Sequence, residues 1–371
     1  MARDTHSSFG GVTLALLSAA LFGASTPLAK LLLGNVSPWM MASLLYLGAG
    51  LGLAAVHLSR NALRLPAVEA PLRRSDLPWL AVVIAAGGIL GPLFLMFGLA
   101  RTQATNASLL LNLEGLATMG IAWLVFHENV DRRLLFGAFS ILAGAALLSW
   151  QGGASLDWGA VLIAAACLSW GIDNNLTRKL SSADPVQIAM IKGLVAGTIN
   201  LMLALEQGAP VPGVGIVVAA GVVGFFGYGV SLVLFVLGLR HLGTARTGAY
   251  FSLAPFIGAV LSLVLLHEPL TIRLVAAGAF MAVGLWIHLT ERHQHEHTHT
   301  ALEHEHRHVH DEHHEHSHGP DAPPGEPHSH WHKHNPLVHK HPHYPDIHHR
   351  HAHDRVSGGS SAPAGSSASD Q

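Results

Sequence analysis

Residues 98–150 read GLARTQATNASLLLNLEGLATMGIAWLVFHENVDRRLLFGAFSILAGAALLSW, and residues 238–290 read GLRHLGTARTGAYFSLAPFIGAVLSLVLLHEPLTIRLVAAGAFMAVGLWIHLT. Set side by side without a gap, Gly98 falls on Gly238, Leu113 on Leu253, His127-Glu128 on His267-Glu268, Arg133 on Arg273 and Gly144 on Gly284. Solenoid units are much shorter, so an apolar repeat of this length points to a duplicated half-protein.

Each copy is a pair of long apolar runs joined by a short charged hinge, HENVDRR in the first and HEPLTIR in the second. From Ala104 to Phe126 the strongly polar residues are Asn106, Asn112 and Glu114, and from Ala249 to Leu266 there is no charge. A bilayer core of about 30 Å asks for roughly 20 apolar residues of helix. Both arms are therefore read as membrane spans.

The rest of the chain agrees. Half of its 371 residues are hydrophobic and only 12% are charged, which argues against a pair of soluble domains. The formal net charge of -2 averages an apolar body to about Thr290 with a polar, His-dense tail. No basic stripe alternates with aromatics, so a nucleic-acid partner is not expected. The single cysteine, Cys167, excludes an intrachain disulfide or multi-thiolate metal site. The run from Val12 to Leu33 is longer than a usual signal-peptide core and lacks a strong basic flank. It also has a counterpart, LFGASTPLAK around Gly23 matching SWGIDNNLTRK around Gly171, so it is expected to be retained.

Ten spans are predicted, near 11–33, 39–58, 77–99, 104–126, 133–150, 157–178, 186–205, 213–239, 244–266 and 271–290. Five per half is odd, so the second copy enters the membrane from the opposite side, an inverted repeat. With a cytoplasmic amino terminus, Arg3, Arg60, Arg64, Arg73, Arg74, Arg132, Arg133, Arg178, Lys179, Arg240 and Arg246 fall inside, against Lys30, Arg101 and Arg273 outside. That asymmetry places both termini in the cytoplasm and the protein in the cell's inner (plasma) membrane. Small-residue stretches, GAGLGLAA after Leu47, AAGG before Ile89, AGAA after Leu142 and AAGVVG from Ala219, would let the helices approach closely. Pro27, Pro92 and Pro255 fall inside apolar runs and predict kinks.

Ten spans in two halves, a His-Glu pair closing the fourth and the ninth, a basic residue a few positions later and a Gly-rich final span resemble the EamA-type members of the drug/metabolite transporter superfamily. The resemblance covers nearly all of residues 10–290. It implies an all-α polytopic membrane protein, a secondary transporter, commonly an exporter, for amino acids, their derivatives or other small metabolites. The domain reading is a first five-helix repeat over 1–150, a second over 151–290 and a disordered His-rich tail over 291–371.

A charge deep in a span costs about 2.5 to 3.5 kcal/mol on insertion scales, so intramembrane charges are functional candidates. Glu114 is expected halfway along the fourth span, Asp173 with Asn174 and Asn175 in the inner part of the sixth, and Lys192 about two turns into the seventh. The substrate-binding candidates are Glu114, Asn112, Asp173, Asn174, Lys192 and Tyr250, Glu114 being able to hold a proton or a cationic group. The structural alternative is that Glu114 and Lys192 neutralise each other or bond to backbone freed by a kink. Tyr46, His57 and Tyr228 are further cavity candidates. The His127-Glu128 and His267-Glu268 pairs lie at opposite faces, so they cannot share a metal, and each carboxylate is expected to cap the helix that follows it. No nucleophile-and-base pairing or phosphate-cradling glycine motif is seen, so no enzyme is expected.

The tail carries most of the histidines, as HQHEHTHT from His293, EHEHRHVHDEHHEHSH from Glu303, HSHWHKH from His328 and HKHPHYPDIHHRHAH from His339. Alternation places imidazoles on one side of an extended chain, with Glu and Asp as second ligands. The metal-ligand candidates are His293, His295, His297, His299, His304, His306, His308, His310, His313, His314, His316 and His318. Charge and proline leave the segment no core to build, so no regular structure is expected without a ligand. No cofactor is required; Ni, Zn, Co or Cu are the ions such a tail would take. Three functions compete: a transporter of small polar metabolites, a transporter of Ni, Co or Zn or a chelate, and a membrane-anchored metal buffer or sensor. The expected partners are the lipid bilayer and a small-molecule or ion substrate, with a homodimer left open.

Overall fold

A long apolar run can satisfy its own backbone in lipid only as a helix, and helices are what the body of this chain forms. The structure, a computed structural model, describes residues 4–34, 36–63, 72, 74–126, 132–150, 157–177, 184–242, 244–290, 293–299, 302–308, 328–334 and 337–343. In the first half α1 is Asp4–Leu33 and α2 Pro38–Ala62. A 3-10 turn at Arg74–Asp76 leads into α3, Leu77–Val83, a π-helical segment Ile84–Leu90 and α4, Gly91–Leu99. Then come α5, Ala104–Leu110, α6, Leu113–Phe126, and α7, Arg132–Ser149. The second half runs α8, Trp158–Thr177, α9, Pro185–Glu206, α10, Val214–Gly224, a π-helical segment Phe225–Val230, and α11, Ser231–Leu242. It closes with α12, Thr244–Phe251, α13, Ala254–Leu266, and α14, Ile272–Leu289.

The helix starts are written in the sequence. Ser37 accepts the Met40 N–H at 3.3 Å with Pro38 in the first turn, and Asp184 accepts the Val186 N–H at 2.8 Å with Pro185 in the first turn. Proline loses nothing there, since first-turn amides have no helical acceptor. Among the described residues nine helical stretches are long and apolar enough to cross a membrane. The expected span at 157–178 is a helix, the 20-residue α8, but it is not among those nine; its end carries Asp173, Asn174 and Asn175.

The register that sets Gly98 on Gly238 also sets the first π segment on the second, and the break between α5 and α6 on the break between α12 and α13. Packing is reciprocal too. α1 lies against α11 and α13 as α8 lies against α4 and α6, while α2 meets α9 and α7 meets α14. Lipid offers little hydrophobic drive between helices, so these contacts depend on small residues. A side chain added at Gly50 would strike the backbone of Gly193 and Leu194 on α9, and one at Gly144 would strike Ala277 on α14. Ser43 donates to Gly197 O at 3.0 Å across the α2–α9 contact. Outward positions such as Leu58, Leu124, Phe136, Phe139 and Val264 stay exposed, an apolar coat suited to lipid.

His293–Gln371 forms a compact unit of its own, separate from Met1–Arg292. Of this unit, residues 293–299, 302–308, 328–334 and 337–343 are described. They form four strands, β1 His293–His299, β2 Leu302–His308, β3 His328–His334 and β4 Leu337–His343, with β1 antiparallel to β4 and β2 antiparallel to β3. Alternation of residue type with period two, read above as an extended chain, is also what a ladder requires.

Candidate functional site

The site grows from one missing hydrogen. Gly91 N–H bonds to Ala86 O, the longer step of a π segment, and Pro92 has no N–H to give. The carbonyl of Gly87 is thereby left without a helical donor, and that of Gly88 loses its i+4 donor, in a span where an unpaired carbonyl is costly. Side chains from three other helices supply them. Gly87 O accepts the Tyr46 hydroxyl of α2 at 2.8 Å and the Trp170 indole N–H of α8 at 3.0 Å, and Gly88 O accepts the Asn200 amide of α9 at 3.3 Å. The first half is thus tied to the second at the level of its charged residues.

Asp173, on α8, is buried against Gly87; a side chain at that glycine would occupy the space of the carboxylate. Its Oδ2 forms an ion pair with Lys192 Nζ of α9, and its Oδ1 accepts the Thr177 hydroxyl at 3.0 Å. Glu114 lies halfway along the fourth span, as expected, but not inside a continuous helix. The fourth span breaks at residues 111 and 112, and Glu114 falls in the first turn of α6, where the helix dipole favours a carboxylate. Its Oε1 accepts the Asn174 amide at 2.9 Å, and that amide also reaches the Thr118 hydroxyl at 3.3 Å. Mutual neutralisation of Glu114 and Lys192 is therefore not what forms: Lys192 is committed to Asp173, and Glu114 is held by a neutral amide. Asp173 and Asn174 are consecutive on α8, so the two pairs share one turn.

Among the described residues no hydrogen bond or ion pair links Asn112 or Tyr250 to those pairs. Asn112, buried at the α5–α6 break, donates its side-chain amide to Leu109 O at 2.8 Å, a carbonyl that also accepts the Asn112 backbone N–H at 3.1 Å. Tyr250 is half-buried on α12. Thr118, Thr177, Trp170 and Asn200 were not singled out from the sequence. Thr118 and Thr177 were findable, each lying one helical turn beyond an intramembrane carboxylate.

The capping expectation for the second His-Glu pair is corrected. Glu268 reaches across the repeat to the start of α5, accepting the N–H groups of Ala104 and Thr105, each at 2.8 Å, and the Thr105 hydroxyl. The following helix, α14, is capped instead by Thr271, which accepts the Leu274 N–H at 3.2 Å. His267, with φ 53°, makes the left-handed turn that swings Glu268 away from its own neighbour. His127 and Glu128 lie outside the described residues. Lys30 closes the same region, donating to Leu99 O at 2.5 Å and Thr102 O at 2.9 Å, the last carbonyls of α4 and its turn.

Among the residues with described side chains there is no group of three His, Cys, Asp or Glu able to hold a metal ion. Of the tail candidates, His310, His313, His314, His316 and His318 lie outside the described residues, and for His293, His295, His297, His299, His304, His306 and His308 only the backbone is described.

Comparison with known proteins fits this architecture. The EamA-like transporter family matches residues 9–150 and again 157–290. A protein of Methanothermobacter thermautotrophicus described as an uncharacterized transporter is 29% identical over 291 residues, 74% of this chain and 84% of that protein. Transporter YyaM of Bacillus subtilis, also described as uncharacterized, is 23% identical over 265 residues, 68% of this chain and 85% of its own. A shorter protein of Pseudomonas paraeruginosa, "Probable 4-amino-4-deoxy-L-arabinose-phosphoundecaprenol flippase subunit ArnE", is 38% identical over 114 residues, 30% of this chain and 95% of its own. A solved chain described as "Crystal structure of protein" superposes with a TM-score of 0.55 at 19% identity, covering 75% of this chain and 96% of that one, a likeness of fold alone.

Proposed function

The chain belongs to the EamA-like transporter family, and on that premise we propose that it is a secondary transporter, an exporter, of small polar metabolites. In this reading ten helices cross the plasma membrane as two inverted repeats with both termini in the cytoplasm, and the tail is a separate domain. The substrate binds where α6, α8 and α9 bring Glu114, Asn174, Asp173 and Lys192 together.

The observation that carries the reading is the unequal pairing of the two carboxylates. Among the described residues Asp173 has a cation, whereas Glu114 has only the Asn174 amide and the dipole of α6. A carboxylate at membrane depth without a cation can exchange its amide for an ammonium group of a substrate, or take up a proton, at little cost in protein rearrangement. Lys192, held by one carboxylate, can share its charge with an anionic group on the same substrate. Breaks at residues 111–112 and 252–253, with Pro92 and Pro255 in the turns that follow interruptions, supply points about which each half can rock.

Glu114→Gln keeps the shape of the side chain and removes its charge. In proteoliposomes loaded with a panel of amino acids and polyamines, efflux should fall on the order of tenfold or more, equivalent to about 1.4 kcal/mol or more of lost stabilisation. Normal efflux by a folded Glu114→Gln protein would return Glu114 to a structural role. The 38% identity to the ArnE proteins favours a second reading, movement of an amphipathic lipid-linked substrate. A fluorescent polyprenyl-phosphate sugar in the same vesicles separates the two, since only this reading gives leaflet exchange of the lipid.

A further inference from the structure

The two ends of the contact between α7 and α14 are equivalent in the repeat and differ in what they hold. At one end Arg133 donates to the Thr290 hydroxyl at 2.9 Å, and His288 Nε2 pairs with Leu134 O at 3.0 Å. The register that sets Gly98 on Gly238 sets Arg133 on Arg273, Thr290 on Trp150, His288 on Leu148 and Leu134 on Leu274. At the other end, therefore, an indole, which can only donate, stands in place of the acceptor hydroxyl, and a side chain without a polar atom stands in place of the imidazole. Arg273 has lost the partner that its counterpart keeps.

A cavity of about 200 Å³ lies at that second end, lined by Gln103, Asn106, Leu148, Thr271, Arg273 and Leu274. Leu148 and Leu274 are buried, whereas Gln103, Thr271 and Arg273 are exposed, so the cavity is reached from the surface. Among the described residues the side chains of Gln103, Asn106 and Arg273 form no hydrogen bond or ion pair. Thr271 accepts the Leu274 N–H at 3.2 Å, which leaves its hydroxyl hydrogen to donate.

A guanidinium, two carboxamides and a hydroxyl thus surround one space with donors and a full positive charge, and no acidic side chain lines it. Glu268, the carboxylate at the start of α5, spends its oxygens on the Ala104 and Thr105 N–H groups and the Thr105 hydroxyl. The guanidinium fork matches phosphate oxygens, and a tetrahedral anion can accept in several directions at once, as donors from two helices require. Leu270, Ile272 and Val275, which flank Thr271 and Arg273 in the chain, are exposed apolar side chains suited to acyl chains.

We propose that this cavity binds a phosphate group, carried by a lipid headgroup or free, with Arg273 as its charge partner and Gln103, Asn106 and Thr271 as orienting donors. Glu114, Asp173 and Lys192 do not line the cavity, so the site stands whether or not those residues bind a transported substrate.

Titration calorimetry of the full-length protein in a phosphate-free maltoside detergent tests it, with dihexanoyl-phosphatidylglycerol, sodium phosphate and sodium acetate as separate titrants. Binding of the lipid alone identifies a headgroup site; binding of inorganic phosphate as well identifies the phosphate itself as the ligand. Arg273→Gln should weaken binding roughly tenfold or more, as loss of a charge-assisted hydrogen bond does. Arg273→Lys should recover only part, since an ammonium lacks the fork. Asn106→Leu, which keeps every charge, should weaken binding severalfold. Arg101→Gln removes an exposed arginine that does not line the cavity and should leave binding unchanged. Absence of binding by both phosphate titrants, acetate bound as tightly as phosphate, equal losses in Arg273→Gln and Arg101→Gln, or indifference to Asn106→Leu would each overturn the proposal.

Discussion

Glu268 holds the first turn of α5 from the opposite half of the repeat, accepting the Ala104 N–H at 2.8 Å while its second oxygen takes Thr105. A seven-residue helix such as α5 has few internal bonds of its own, so its start depends on this foreign carboxylate. Glu268→Ala should lower stability by about 1 to 2 kcal/mol, read as an earlier unfolding midpoint in detergent. Glu268→Gln should fall between, because its amide nitrogen cannot accept the second N–H. If Glu268→Gln unfolds with the parent, acceptance by both oxygens does not hold α5.

The Asp173–Lys192 pair predicts an asymmetry between single and double substitutions. Both side chains are mostly shielded, 6% and 17% exposed, so removing Lys192 alone leaves an uncompensated carboxylate beside the Gly87 segment. Lys192→Met should destabilise by about 3 to 5 kcal/mol, whereas Lys192→Met with Asp173→Asn should recover most of that loss. Melting midpoints of the three proteins check the stability cycle. Efflux should stay low in the double variant, since the charges are then gone although the fold is restored.

The helices and their lengths were legible because the bilayer demands long apolar runs. The sequence placed Glu114, Asp173, Asn174 and Lys192 in the right spans for the same reason: a charge in such a run is visible. What was not legible is set by three-dimensional exchange between the halves. Nothing near Glu268 in sequence says that its partners are Ala104 and Thr105, because Thr271 already stood ready to cap the next helix. Likewise Pro92 announced a kink, but not that Tyr46, Trp170 and Asn200 would serve the carbonyls it orphans. Asn112 shows a different point: a polar residue in an apolar run can be engaged with its own backbone.

Gly87 and Gly115 offer a controlled comparison. A methyl group at Gly87 would overlap the Asp173 carboxylate, while one at Gly115 meets nothing within 4 Å. Gly87→Ala should displace Asp173 from Lys192 and abolish efflux. Gly115→Ala, in the helix that carries Glu114, should keep efflux and gain about 0.5 to 1 kcal/mol from helix propensity. Efflux assays and melting curves on the two variants distinguish a site built around Gly87 from a general intolerance of added methyl groups in these helices.

The proposed inverted arrangement makes a prediction that does not depend on the site. Glu268, just past the end of α13, meets the start of α5, and Arg133 near the start of α7 donates to the Thr290 hydroxyl beyond α14 at 2.9 Å. Each contact joins the end of a helix in one half to the beginning of a helix in the other, as the proposed inverted arrangement would require. With basic residues concentrated at Arg60, Arg64, Arg73, Arg74, Arg132 and Arg133, the segments after α2 and before α7 are expected on the cytoplasmic side. An odd number of crossings then separates Ser59 from Gln151. Reporter fusions ending at Ser59 should show the cytoplasmic signal and those ending at Gln151 the signal of the opposite side, measured with an alkaline phosphatase and a fluorescent-protein reporter in parallel. Two fusions reporting the same side would require an even number of crossings between them and would break the symmetry that relates the halves.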